Sequence, residues 1–341
     1  MKSLNTGSLM NEMSRSVVVE KFGGPEKLLI KKVGIPKPNQ DEILIKVVTA
    51  GINPADIEQR KGEYLPPTDA SSVLGLEVAG TIVEVSGNVT EFKAGDRVMS
   101  LLSGGGYADY VVAHKDLSFF IPSFMSFSEA AAIPEAIFTV WSTIFDNAKL
   151  KKGEVILIHG GTGSVGSIAI QLAHHFEAEV IATAGTDDKC ALCSKLGADK
   201  TINYRKENFF ALANEYARNK GVDVILDFIG GEYLNDHLKL LARCGRLLLI
   251  DCQDANPNID LNSVIIKNLS ISGAVLRSRP LLEKIAIAHR IKRYVMPLLI
   301  DGKIKPIIAK IFPLVDVINA HKLMESKNYT GKIILEMTTH G

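Results

Sequence analysis

Gly160, Gly161, Gly163 and Gly166 follow an apolar run from Val155 to Ile158 and precede the apolar-periodic Ile168, Ile170, Leu172 and Ala173. An unbroken apolar run is the pattern of a strand buried on both faces of a parallel sheet. A strand, a glycine-rich turn and a helix start together make an anion site. The glycines let the backbone approach a pyrophosphate, and the helix start offers unpaired N–H groups and the positive end of its dipole. The spacing is Gly-x-x-Gly-x-x-Gly over 160, 163 and 166, looser than Gly-x-Gly-x-x-Gly, so the letters alone also fit a tight strand-to-helix turn. The chain that follows favours the nucleotide.

A second strand at 180–183 ends in Ala184-Gly185-Thr186, a third runs over 222–228 and a fourth over 246–250, with helical stretches at 189–195 and 209–219 between them. Alternating strands and helices imply crossover connections and a doubly wound parallel α/β sheet. Ligands of such sheets bind at the carboxyl ends of the strands. A dinucleotide is therefore expected over Gly160, Gly163, Ser164, Val165 and Gly166, over Thr183, Gly185 and Thr186, and beside Ile229 and Gly230.

The texture differs on either side. Strand-like segments at 15–20, 28–32, 42–50, 78–85, 97–101 and 108–112 are separated by Gly-, Pro- and Asn-rich turns, which predicts a mixed, barrel-like β domain. After about residue 280 come a helix over 281–299 and strand-like pieces at 307–312 and 332–337, the last expected to rejoin the N-terminal sheet. The expected division is a flexible extension at 1–13, a catalytic domain built from 14–134 and 280–341, and an inserted dinucleotide domain at 135–279. A cleft between the two is the default place for an active site.

The bulk properties agree with this plan. The 341 residues are 46% apolar and 23% charged with a net charge of +1, which gives no basic excess for nucleic acid or a membrane surface. No apolar run has the length of a membrane span, and the polar N-terminus does not read as a targeting signal, so a cytoplasmic location is expected. Cys190-x-x-Cys193 lies in a helical stretch without a second pair or a neighbouring histidine pair, which leaves small free thiols as the reading.

With these residues in hand, the chain resembles a medium-chain dehydrogenase/reductase, and within that family the zinc-free quinone oxidoreductases related to zeta-crystallin. The resemblance runs from about Val17 to Glu336. It rests on Asn53-x-x-Asp56, Gly75-Leu76-Glu77-x-x-Gly80, Gly95-Asp96-Arg97-Val98 and Ala131-Ala132-Ile133-Pro134, on His159 to Gly166, and on Leu196-Gly197-Ala198-Asp199 with Asn203-Tyr204. It continues through Leu276-Arg277-Ser278-Arg279 and Gly331-Lys332. It implies a Rossmann-type sheet inserted in a GroES-like catalytic domain. In the zinc branch a Cys stands at the position of Asn53 and a His at that of Leu76, and the four-cysteine lobe is replaced here by Ser103-Gly104-Gly105-Gly106-Tyr107, so no metal is expected. Without a Lewis acid, an acceptor that is already electrophilic is the suitable substrate: a quinone or an activated enone.

Dinucleotide folds that prefer NAD carry an acid at the tip of the second strand. Here the tip is small and polar, with Lys189 three residues on and Tyr204 downstream, and the resemblance places these around a 2′-phosphate, so NADPH is expected. Asp187 and Asp188 are a counter-signal, read as helix N-cap residues turned away from the phosphate. The resemblance also gives Asn53 a place near the nicotinamide ribose and a donor role toward a carbonyl, Thr139 a contact to the carboxamide, and Leu276, Ser278, Arg279 and Lys332 contacts to the cofactor. Tyr64 is a candidate donor to substrate oxygen. On their own, Asn53-Pro54 reads equally as a turn, Tyr64 as part of a packed loop, Thr139 as an ordinary helix-start residue and Lys332 as a strand-edge lysine. Two other functions stay open: reduction of an enone or enoyl thioester, and an NADPH-binding protein with a structural or regulatory role. The strand expected at 269–276 is apolar enough to be hazardous as an open edge, and pairing with its symmetry mate would give a homodimer.

Overall fold

The computed structural model describes residues 13–252 and 257–337. Apart from Met13, the extension expected at 1–13 lies outside them; Met13 itself opens the first strand. In chain order the strands are β1 (Met13–Val19), β2 (Leu28–Gly34), β3 (Glu42–Gly51), β4 (Glu77–Val85), β5 (Arg97–Leu101), β6 (Tyr110–His114), β7 (Ser118–Phe120), β8 (Val155–Ile158), β9 (Glu179–Ala184), β10 (Lys200–Asn203), β11 (Val222–Asp227), β12 (Leu241–Leu249), β13 (Ser270–Gly273), β14 (Ile308–Pro313) and β15 (Lys332–Glu336). The helices are α1 (Pro54–Lys61), α2 (Phe127–Ala130), α3 (Pro134–Val140), α4 (Ser164–His175), α5 (Asp187–Lys195), α6 (Phe209–Tyr216), α7 (Leu234–Leu240), α8 (Leu261–Lys267), α9 (Leu281–Tyr294), α10 (Met296–Ile300) and α11 (Val317–Glu325).

The chain divides into two compact units. The first takes the chain up to Glu135, then Arg277–Ile300 and the stretch from Pro306 on; the second is Ala136–Leu276 with Asp301–Lys305. In the first unit a seven-stranded sheet runs β14-β15-β3-β4-β5-β7, with β6 on β3, beside a separate β1–β2 pair. As expected, the last strand rejoins the N-terminal sheet: β15 lies antiparallel to β3, Ile334 opposite Gly51. Its hydrophobic core runs from Val17 and Ile43 to Ile333 and Leu335.

In the second unit all strands are parallel, in the order β10-β9-β8-β11-β12-β13. That is the doubly wound order of a dinucleotide fold, whose switch point lies between β8 and β11. Buried Ile156, Leu157 and Ile158 explain why β8 carries no polar alternation.

Several expected elements differ in extent, among them the strand expected at 246–250, which is Leu241–Leu249, and the helix expected over 209–219, which ends at Tyr216. The helix over 281–299 is two helices, because Pro297 has no N–H to continue α9. The strand over 269–276 shrinks to β13. Thr139 sits near the end of α3 rather than at a helix start. Among the described residues no helix is long and apolar enough to cross a membrane.

Candidate functional site

In the second unit, α4 begins at Ser164 directly after the glycine turn, and its N-cap Gly163 provides no side-chain cap. The first-turn N–H groups of Ser164, Val165 and Gly166 therefore have no acceptor within the helix. Gly166 has to be glycine: a Cβ there would run into the carbonyl of Gly160. Ser164 Oγ is buried without a hydrogen-bond partner, while Gly160 stands exposed. An orphaned hydroxyl beside unpaired N–H groups at the positive end of a helix fits a phosphate.

The tip of β9 carries the second part. Thr186 is the N-cap of α5, its side chain accepting from Lys189 N at 3.3 Å, so the cap is Thr186 and not the aspartates. Asp187 is taken up instead by Asn203 Nδ2 and Lys206 Nζ, each 2.6 Å away, and the Lys206 bond holds its carboxyl below the usual range. Lys189 is half-buried in the first turn of α5. A Cβ built on Gly185 would lie 2.9 Å from Tyr204 Oη and 3.3 Å from Arg205 Nε. Tyr204 thus stands over Gly185 at the tip of β9, with Arg205 beside it, a residue to which the sequence analysis gave no role. The sequence offered only its place directly after Tyr204, because the strand before it, β10, was not among the expected elements.

The Thr183 side chain points inward to His159 Nδ1 at 2.9 Å, so it supports the tip and does not line it. The N–H groups of Ile229 and Gly230 donate to Asp227 at 2.8 and 3.1 Å. Thr139 is buried, its carbonyl accepting from Thr143 Oγ1 at 2.7 Å. Leu276 is half-buried at the end of this unit. Cys193 is fully buried, and burial pushes its thiol up to about 12.

In the first unit the cluster is tighter than the sequence implied. Asn53 opens α1, and its N–H donates to Asp56 Oδ2 at 2.9 Å. Asp56 also accepts from Gly75 N and the Tyr107 hydroxyl, each at 2.9 Å, yet burial still raises its pKa. The Asn53 carboxamide points the other way: Nδ2 donates to Glu77 Oε1 at 3.0 Å, and Oδ1 accepts from Lys332 Nζ at 2.6 Å. Lys332 also pairs with Glu77, whose other oxygen accepts from Glu135 N at 2.9 Å. Glu77 and Lys332 are 0% and 2% exposed, so Lys332 is no strand-edge lysine, and Glu77 is a central member that sequence reasoning left unassigned. Its signal was its place in the Gly75-Leu76-Glu77 motif, at the start of β4.

Tyr64 belongs to a second cluster. Its ring lies 5.7 Å from Arg277 Cζ, and burial raises its pKa while Arg277 opposes that. Arg277 Nε donates to Ser103 O at 2.8 Å; Lys284 Nζ donates to Ser103 Oγ at 3.0 Å and to Arg277 O at 2.6 Å. Ser278 and Arg279 line a cavity of about 500 Å³ together with Arg277, Lys284, Ser71 and Ser103.

A metal finds poor ligands at Asn53. Leu76 offers no donor, and the Lys332 ammonium already takes the Asn53 and Glu77 oxygens that a cation there would use. Among the described residues no three His, Cys, Asp or Glu side chains converge as metal ligands.

Residues 39–123 match the alcohol dehydrogenase GroES-like domain, and residues 164–290 the family described as zinc-binding dehydrogenase. A quinone oxidoreductase of Sus scrofa is 32% identical over 332 residues, covering 95% of this chain and 98% of that protein. Among solved structures, an NAD-dependent alcohol dehydrogenase is similar with a TM-score of 0.84 and 28% identity, over 95% of this chain and 100% of that one. A mycobacterial protein in complex with NADPH is similar with a TM-score of 0.84 and 26% identity, again over 95% and 100%. Relatives with either nicotinamide cofactor share the fold, so the choice between them has to come from this chain's own side chains.

Proposed function

Because the chain belongs to the medium-chain dehydrogenase/reductase family of alcohol and quinone oxidoreductases, we propose that it is an NADPH-dependent, zinc-independent reductase of quinones and related activated carbonyls. The observation that carries this reading is the Lys332 ammonium seated on Asn53 Oδ1 and Glu77, a fixed positive charge built from the chain itself where the zinc branch places a metal ligand.

The second unit holds the nucleotide: Gly160 to Gly166 take the pyrophosphate, and Gly185, Thr186, Lys189, Tyr204 and Arg205 take the 2′-phosphate. When bound, NADPH supplies the hydride. Asn53 keeps one Nδ2 proton beyond its bond to Glu77 and donates it to the carbonyl oxygen of the acceptor. Lys332, held by Asn53 and Glu77, stabilises the negative charge that develops on that oxygen. A hydroquinone anion takes its proton from water, so no side chain has to act as an acid. Reduction of an enone or enoyl thioester requires a proton at carbon instead, and Tyr64 is the hydroxyl nearest that task.

The test is turnover of NADPH on a naphthoquinone, a small enone and a crotonyl thioester, before and after dialysis against a chelator. The expected result is fastest turnover on the quinone, unchanged by dialysis. Preference for the thioester would move the function to enoyl reduction. Tight NADPH binding with no turnover on any acceptor would favour a structural or regulatory protein. Activity restored only by zinc would overturn the metal-free reading.

Cofactor choice is tested by Lys189→Ala, expected to weaken NADPH by about 1–3 kcal/mol, the range for a hydrogen bond to a charged group, and to leave NADH nearly unchanged. Equal weakening of both would misplace the 2′-phosphate.

The reading includes a homodimer in the cytoplasm. β13 ends its sheet, and the neighbouring α8 exposes Ile265 and Ile266 at 74% and 78%. An open edge beside an apolar face is the arrangement that a two-fold pairing covers. Sedimentation at micromolar concentration should give a species near twice 37.0 kDa; a species at the monomer mass would rule the dimer out.

A further inference from the structure

The switch point of the parallel sheet contains a buried polar chain to which the proposed chemistry assigns no role. It begins at Thr183 on β9, whose hydroxyl lies 2.9 Å from His159 Nδ1 just past β8. His159 Nε2 lies 2.8 Å from His237 Nε2 on α7, and His237 Nδ1 lies 3.3 Å from Asp227 Oδ2 at the end of β11, close to it without good hydrogen-bond alignment. Exposure of these side chains is at most 1%. The rings of Phe209 and Tyr233 pack around the pair, 5.2 and 5.9 Å from His159 and 5.8 and 6.0 Å from His237.

We propose that His159 and His237 are positioning residues for the nicotinamide nucleotide, locking the carboxyl ends of β8, β9 and β11 into the shape it meets. The inference rests on the nucleotide reading of this unit. Two imidazole nitrogens in hydrogen-bond contact need one N–H and one lone pair, so the rings share a single proton and cannot both be charged. The pair therefore holds one N–H between the two Nε2 atoms, and the Thr183 hydroxyl, which can donate or accept, completes the contact at His159 Nδ1. Burial together with the neighbouring His237 holds His159 down to about 3, which keeps it neutral.

The far end of the chain shapes a turn. Asp227 accepts from Ile229 N and Gly230 N, and burial, which opposes its charge, is outweighed by His237 and these donors so that its pKa is lowered. Gly230 takes φ +63° and ψ −144°, a conformation that favours glycine, and a Cβ there would lie 2.5 Å from Cys252 Sγ. The near end anchors Thr183, whose carbonyl accepts from Gly161 N at 3.0 Å. One chain thus ties the phosphate turn, the tip of β9 and the Ile229–Gly230 turn together. Two apolar rings would fill the same volume without the cost of burying polar nitrogens.

The test uses His237→Phe, His237→Asn, His159→Phe and the double variant His159→Phe/His237→Phe in the full chain. It measures NADPH dissociation, KM for NADPH, kcat and melting temperature. Each single Phe variant is expected to raise Kd and KM for NADPH about tenfold, the scale of one lost hydrogen bond, and to change kcat much less. The double variant should be no worse than either single one, since one broken link opens the chain. If His237→Phe does not fold, His237→Asn decides by the same readout. NADPH affinity within about twofold of wild type in the folded His237 variants, with only the melting temperature lowered, would make the pair core filling and overturn the inference. A wild-type protein that fails to bind NADPH would instead overturn the nucleotide reading, and this inference with it.

Discussion

Lys332→Met is expected to cost the full-length protein about 3–5 kcal/mol of stability, the range for removing one partner of a buried ion pair. The variant leaves the Glu77 carboxylate fully buried without its cation, while the other donors to it, Asn53 Nδ2 and Glu135 N, stay in place. Neutralising both ends should recover much of the loss, because Lys332→Met combined with Glu77→Gln removes the orphaned charge. Denaturant midpoints of the two single variants and the double variant check this. If the double variant is as unstable as the sum of the singles, the two groups do not act as a pair. The same variants bear on function: under the proposed mechanism the double variant folds yet reduces quinone poorly, because the fixed positive charge is gone.

A second large effect is expected on acidification. His159 and His321 are each held down to about 3, mainly by burial, with His237 adding to the first shift and Arg60 to the second. A histidine whose folded pKa lies below its unfolded value stabilises fully above the unfolded value, near 6.5. It loses that contribution as pH falls toward the folded value, because only the unfolded chain takes up the proton. Each contributes a slope of up to about 1.4 kcal/mol per pH unit below pH 6. Glu325, lowered first by its bond to buried Arg60 at 2.6 Å, adds to the loss near pH 4 for the same reason of sign. Stability should therefore drop steeply between pH 6.5 and 5, and His321→Phe, whose ring can keep the edge contact to Tyr107, should remove about half of that slope. Equal denaturant midpoints at pH 7.5 and 5.5 would show that neither histidine stays neutral in the folded state.

The sequence by itself determined the architecture of the second unit. An unalternating strand, a glycine turn and an amphipathic helix are local patterns, and a parallel sheet with right-handed crossovers leaves few ways to assemble them. Through the resemblance it also gave Lys189 and Tyr204 an expected place beside the tip of β9, and the structure brings Tyr204 next to Gly185 there. Even the return of the last strand was legible, in its apolar run and its distance from the first sheet.

The tertiary structure decided which polar groups meet. Asn53, Glu77 and Lys332 are separated by 24 to 279 positions in the chain, and nothing local marks Lys332 as buried. Only the antiparallel pairing of β15 with β3, and of β3 with β4, carries the three side chains to one place. His159 and His237 lie 78 positions apart and meet only because β8 and β11 are neighbours. The two aspartates after Thr186 show the same limit: the Asp187 carboxylate is taken up by Asn203 and Lys206, partners that reach it only because β10 lies beside β9. Hydrophobic period and turn chemistry are written residue by residue. The pairing of charges is fixed by strand register, which depends on the whole sheet.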